Sequence, residues 1–134
     1  MAPTAKSPLY MRIILLVTGC LNLLMIAALL SPHQAMEAMF GVTGELNPAM
    51  EIMVRSWGAL VVMLGVLLLA AAFYSALVIT ALLFAGSSKL VFVLLCLLLG
   101  QEYLDHLQIT LVIDVVTIVI FIWLIFNTHR QARH

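Results

Sequence analysis

Six cations and six anions are spread along this 134-residue chain, and only Lys89 and Asp114 fall deep inside apolar runs. An ionised side chain surrounded by hydrocarbon is costly, so such residues are usually paired and mark a pathway or a site. A lysine and an aspartate can neutralise each other, or serve as a gate or a proton-coupled site. Ser87 and Ser88 directly precede Lys89, and Thr110 and Thr117 fall on one helical face with Asp114. Hydroxyls are therefore at hand for both charges. The plainer reading is a structural ion pair with hydroxyl support inside a bundle. The sharper one is a gate or proton-coupled site in a solute pathway. A different pairing, Arg55 with Asp114, would leave Lys89 neutral or facing a partner subunit.

The elements that position these residues follow from composition. The chain is 65% hydrophobic and 9% charged, where a soluble domain carries about 25% charged residues. A water-soluble core of this size could not hide so much apolar surface. The expected class is therefore all-α: a polytopic membrane protein with four transmembrane helices as an up-down bundle in a single domain. A crossing needs about 20 largely apolar residues. The spans are expected at about 13–30, 51–73, 76–100 and 107–126. The charge-free run 56–88 is too long for one comfortable crossing, and breaking it near Phe73-Tyr74-Ser75 gives the second and third spans. Ser31-Pro32 and Asn47-Pro48 place a capping side chain before a proline, which suits a first helical turn. The first pair should start a short interfacial helix over about 32–40, and the second should start span two. Trp57, Tyr74, Tyr103 and Trp123 fall near span ends, as interfacial aromatics tend to.

Depth brings the two charges together. Lys89 sits near the middle of span three, and Asp114 lies about seven residues below the outer end of span four. At 1.5 Å per residue their levels differ by about 6 Å, within the reach of a lysine. Lys6 and Arg12 precede span one, and Arg130 and Arg133 follow span four, while acidic residues dominate the opposite connections. This bias predicts a multi-pass protein of the cell (inner) membrane with both termini cytoplasmic.

Other polar and small residues are read the same way. Glu51 and Arg55 form an i, i+4 pair at the outer entrance of span two, as a snorkelling pair or an anion-attracting group at the mouth of a pocket. Thr18 and Asn22 make a polar face in span one, of a kind that more often bonds helices than ligands. Gly58, Gly65 and Ala72 recur every seven residues along span two. Such small residues let helices approach closely, either inside the bundle or at a seam with another subunit.

Several classes are disfavoured. The four histidines, His33, His106, His129 and His134, lie outside the spans, which argues against a bundle-buried haem. No CxxC joins Cys20 and Cys96, and the Glu-x-x-His pattern of carboxylate metal sites is missing. No cofactor and no metal are expected. Net charge is zero with no long basic run, so nucleic acid is not an expected partner.

In its order of features the chain resembles small bacterial four-helix membrane proteins loosely akin to the DoxX-like group. The features are a first span ending in Ser31-Pro32, then Met39-Phe40-Gly41, then Glu51-Ile52-x-x-Arg55 opening a glycine-bearing second span, and a fourth span containing Asp114. The resemblance implies a four-helix bundle, supplies no activity, and points to Glu51, Arg55 and Asp114. The leading functional expectation is a non-enzymatic integral membrane protein, acting as an accessory or assembly subunit or a small homo-oligomer. Its partners would be membrane lipid and other membrane subunits or itself. The alternatives are a small solute or proton-coupled transporter using Lys89 and Asp114, and a lipid- or quinone-binding membrane enzyme.

Overall fold

Apolar runs of this length cross a bilayer as helices, because no water is present there to satisfy free backbone groups. The computed structural model describes residues 6–134 and carries four helices long and apolar enough to span a membrane, with no strand among those residues. The chain is thus an all-α, multi-pass membrane protein. The first span, Leu9–Leu30, is divided into α1 (Leu9–Leu23) and α2 (Ile26–Leu30). A short helix, α3 (Pro32–Phe40), follows it. The remaining spans are α4 (Pro48–Phe73), α5 (Val78–Leu99) and α6 (Leu104–Ala132), with 3-10 turns at Ser75–Leu77 and Gln101–Tyr103 leading into the last two.

Local chemistry explains most boundaries. The Asn47 side chain accepts a hydrogen bond of 2.9 Å from the Met50 amide, and Pro48 opens α4. Ser31 makes no side-chain cap, so α3 starts on Pro32 alone. Gly41 ends α3 in the left-handed region at φ 66°, where a Cβ is disfavoured. A Cβ there would also lie 2.5 Å from the His106 ring. Gly41→Ala is therefore expected to lower the thermal midpoint more than Gly44→Ala, whose position at φ 119° has open space around it. Equal shifts would mean that the His106 contact is irrelevant. α6 runs past the expected limit of 126 to Ala132, with His129 and Arg130 complementing the negative end of its dipole.

α1 and α2 pack closely along α4, and α5 packs along α6, with α4 and α5 joining the two pairs. The close approach of the first pair is a glycine device. A Cβ at Gly65 would meet the Gly19 carbonyl oxygen at 2.9 Å, and one at Gly58 would meet the Ala28 Cβ at 2.9 Å. Ala72 is also buried. Gly58, Gly65 and Ala72 are thus consumed within the chain. Two arginines tie the same pair at its ends. Arg12 Nε donates to the Ala72 carbonyl at 3.0 Å, its guanidinium lying 5.6 Å from the Phe73 ring centre. Arg55 donates to the Leu29 carbonyl. Each guanidinium satisfies a carbonyl that a helix C-terminus leaves without a partner.

The core lies in two parts. Met11, Leu15, Leu68, Leu82, Phe121 and Leu124 close the end of the bundle that carries the termini. Val93, Cys96, Leu107 and Leu111 form a second cluster toward the opposite end. Between these clusters lies a cavity lined by residues of all four spans.

Candidate functional site: a cavity around Lys89 and Asp114

The Lys89 ammonium donates to Asp114 Oδ1 at 2.7 Å, and the two side chains are 18% and 10% exposed. α5 and α6 are antiparallel neighbours over a short turn, so the two charges are brought level as the spacing predicts. Arg55 does not compete for Asp114. It takes Glu51 instead, with a contact of 2.7 Å, and belongs to the end of the bundle near α3.

The pair lines a cavity of about 350 Å³, within the range of small-molecule sites. Most of its wall is apolar, but the polar groups converge. Thr18 and Asn22 come from α1, Ser88 and Lys89 from α5, and Thr110, Asp114 and Thr117 from α6. The Thr18 and Thr117 hydroxyls each donate to the carbonyl four residues back, at 2.7 Å. Asn22 is only 6% exposed, lines the cavity, and its side-chain amide has no hydrogen-bond partner among the described residues. Asp114 Oδ2 and two of the three Lys89 protons are likewise without partners there. Among the described residues, no fully buried side-chain nitrogen or oxygen lacks a hydrogen-bond partner. These free donors and acceptors therefore face the cavity. An amide that faces a cavity without a protein partner is open to a hydrogen bond with a water or a ligand.

Backbone as well as side chain serves the site. Between α1 and α2 the Leu24 amide bonds Leu21 O at 3.3 Å and the Met25 amide bonds Asn22 O at 3.1 Å, in the i to i−3 pattern. The first span is therefore discontinuous at Leu24 and Met25, and both residues line the cavity. No proline or glycine stands at the break, so the sequence carries no signal for it. α4 approaches the break closely at Gly58, where a Cβ would lie only 3.0 Å from the Met25 carbonyl oxygen.

Ser87, expected beside Ser88, does not join this site. One residue turns a helix by about 100°, and Ser87 lies instead in a shallow groove on the other side of α5 with Gly86, Leu90 and Ile118. Trp57 also packs inside the bundle: its ring stacks on Phe92 at 5.7 Å and 19°, and both rings line the cavity. Met39 of α3 also lines it, and Phe40 meets Tyr103 edge-on at 5.7 Å. The short helix therefore covers one end of the cavity as well as lying across the bundle.

The arrangement offers a neutral pair of charges with spare hydrogen-bonding capacity, an amide opposite, and aromatic and aliphatic walls. It can hold and orient a small polar group. No protein-family model, curated protein or solved structure matches this chain.

Proposed function

We propose that this chain is a non-enzymatic integral membrane protein that binds a small molecule at an intramembrane ion pair, Lys89–Asp114. The observation that carries this reading is the unsatisfied Asn22 amide facing the same cavity as the half-used pair. An ion pair serving structure alone would be expected to have its remaining donors and acceptors satisfied by protein. The subunit reading loses one of its supports, since the seam at Gly58 and Gly65 is filled by α1 and α2 of the same chain. The protein resides in the inner membrane with both termini cytoplasmic, from the bias of Lys6, Arg12, Arg130 and Arg133. The likeness to DoxX-like proteins belongs to the same proposal and bears on the bundle alone.

Native mass spectrometry of the protein gently extracted from its own membrane tests the reading. The expected result is the 14.7 kDa chain, or a small multiple of it, with a retained small molecule. Val61→Phe fills the cavity wall and should abolish that adduct. A bare chain in both cases would contradict binding. A mass containing other chains would restore the accessory-subunit reading.

The interrupted first span favours one further step, transport, because carriers place binding sites at discontinuous helices. If the chain moves its ligand or protons, flux into reconstituted vesicles should fall at least tenfold in Asp114→Asn, one carboxylate interaction being worth about 1.5–3 kcal/mol. Unchanged flux would remove Asp114 from any transport mechanism.

A further inference from the structure

The cavity is closed at both ends and open on one flank. The Met11, Leu15 and Phe121 core seals it toward the termini, and α3 covers the opposite end through Met39. α1 and α6, by contrast, make few contacts with each other. Near the termini they meet through the Tyr10 and Trp123 rings, 5.7 Å apart. Higher up, Leu21 and Leu24 on one side and Ile113 on the other line the cavity while remaining 49%, 68% and 48% exposed. Those three side chains are the lips of an opening between apolar helices. Lipid tails are the solvent at that level.

From this we infer that the occupant enters sideways from the bilayer between α1 and α6, and that it is a single-chain amphiphile with a neutral, hydroxyl-bearing head, the chemistry of a monoacylglycerol. The inference rests on the binding reading above and adds the route and the chemical class. Lys89 and Asp114 already cancel, so a charged head would place a net charge in a low-dielectric site, which is strongly unfavourable. A neutral head that both donates and accepts matches what is free: hydroxyls donate to Asp114 Oδ2 and accept from Lys89 and the Asn22 amide. The volume of about 350 Å³ takes a small head and the start of one chain. The rest of the chain leaves through the lips, where Leu21, Leu24 and Ile113 match it in polarity.

Trp57, on the cavity wall, is a built-in reporter once Trp123→Phe leaves it as the sole tryptophan. In phosphatidylcholine nanodiscs, a monoacylglycerol brominated along its chain should quench Trp57 saturably, and excess monooleoylglycerol should reverse the quenching. Brominated phosphatidylcholine should quench only in proportion to its concentration. Asn22→Leu should raise the half-saturating concentration roughly tenfold, as loss of one buried hydrogen bond would. Thr110→Val, which is isosteric, should raise it by less and keeps the test valid if Asn22→Leu fails to fold. Proportional quenching by both bromolipids would overturn the inference. If water-soluble glyceryl monoacetate then protected Trp57 from acrylamide, the binding reading would stand with an aqueous route and only the lateral amphiphile would fall. If neither probe affected Trp57 while native masses still showed an adduct, the chemical class alone would be wrong.

Discussion

Asp114→Leu alone is expected to destabilise the bundle by about 3 kcal/mol, and adding Lys89→Met should recover most of that loss. The single change leaves the Lys89 ammonium in the cavity with no carboxylate, and a largely buried uncompensated charge is worse than none. Breaking a fully buried pair costs about 3–5 kcal/mol. The lower end applies here because the side chains keep 18% and 10% of their exposure. Lys89→Met alone should behave like Asp114→Leu, exposing a lone carboxylate. Thermal melts in detergent, or titration with a denaturing detergent, of both single variants and the double variant would measure the coupling. Strictly additive losses would show that the 2.7 Å contact contributes no pairing energy.

Gly65→Leu carries the second large effect: the helical bundle should fail to assemble, and Gly65→Ala should cost about 1–3 kcal/mol, as overpacking does. The cause is that the neighbours are backbone. A Cβ at Gly65 would lie 2.9 Å from the Gly19 oxygen and 3.2 Å from the Leu23 nitrogen, so no rotamer change can relieve it. Gly86 supplies the control. Its Cβ would meet only Phe121, at an ordinary 3.5 Å, so Gly86→Ala should be neutral or stabilising by up to about 1 kcal/mol through helix propensity. Circular dichroism melts of the three variants decide it. If Gly65→Ala and Gly86→Ala behaved alike, the α1–α4 seam would not be the tight contact described. If Gly65→Leu left a folded but dissociated chain, the seam would lie between subunits.

The contact at Gly65 also shows why some of the molecule can be read from residues and some cannot. Apolar run length dictates four spans, because a bilayer admits few alternatives. The observed α4 and α5 lie within three residues of the expected 51–73 and 76–100. Helical rise and a short turn dictate that Lys89 and Asp114 come level. Both depend on quantities local to the chain. The cavity is different, since its lining comes from all four spans and from Met39 of α3, and no single segment encodes it. The break at Leu24 and Met25 likewise has no proline or glycine in the first span to signal it, and lies where α4 approaches closely at Gly58. Trp57 is legible only as an aromatic near a span end, because stacking on Phe92 requires knowing that α4 and α5 are neighbours at that height. Thr18 and Asn22 are visible as a polar face, but what they face is not. Ser87 is misplaced by its adjacency to Ser88, because neighbours in sequence are not neighbours on a helix face.

Cysteine accessibility in membranes tests most directly whether the pair stands in an accessible cavity rather than sealed among tails. Ser88 lines that cavity, whereas Leu90, two residues on and so at nearly the same level, lines the shallow groove on the other side of α5. In a chain with Cys20 and Cys96 replaced, Ser88→Cys should react with N-ethylmaleimide, since the thiolate that reacts forms only where a polar environment reaches it. Leu90→Cys should remain unlabelled, and Val61→Phe should suppress the reaction at position 88. If the thiol of Ser88→Cys proved as inert as that of Leu90→Cys, hydrocarbon would close over Lys89 and Asp114, and the binding site described would not exist.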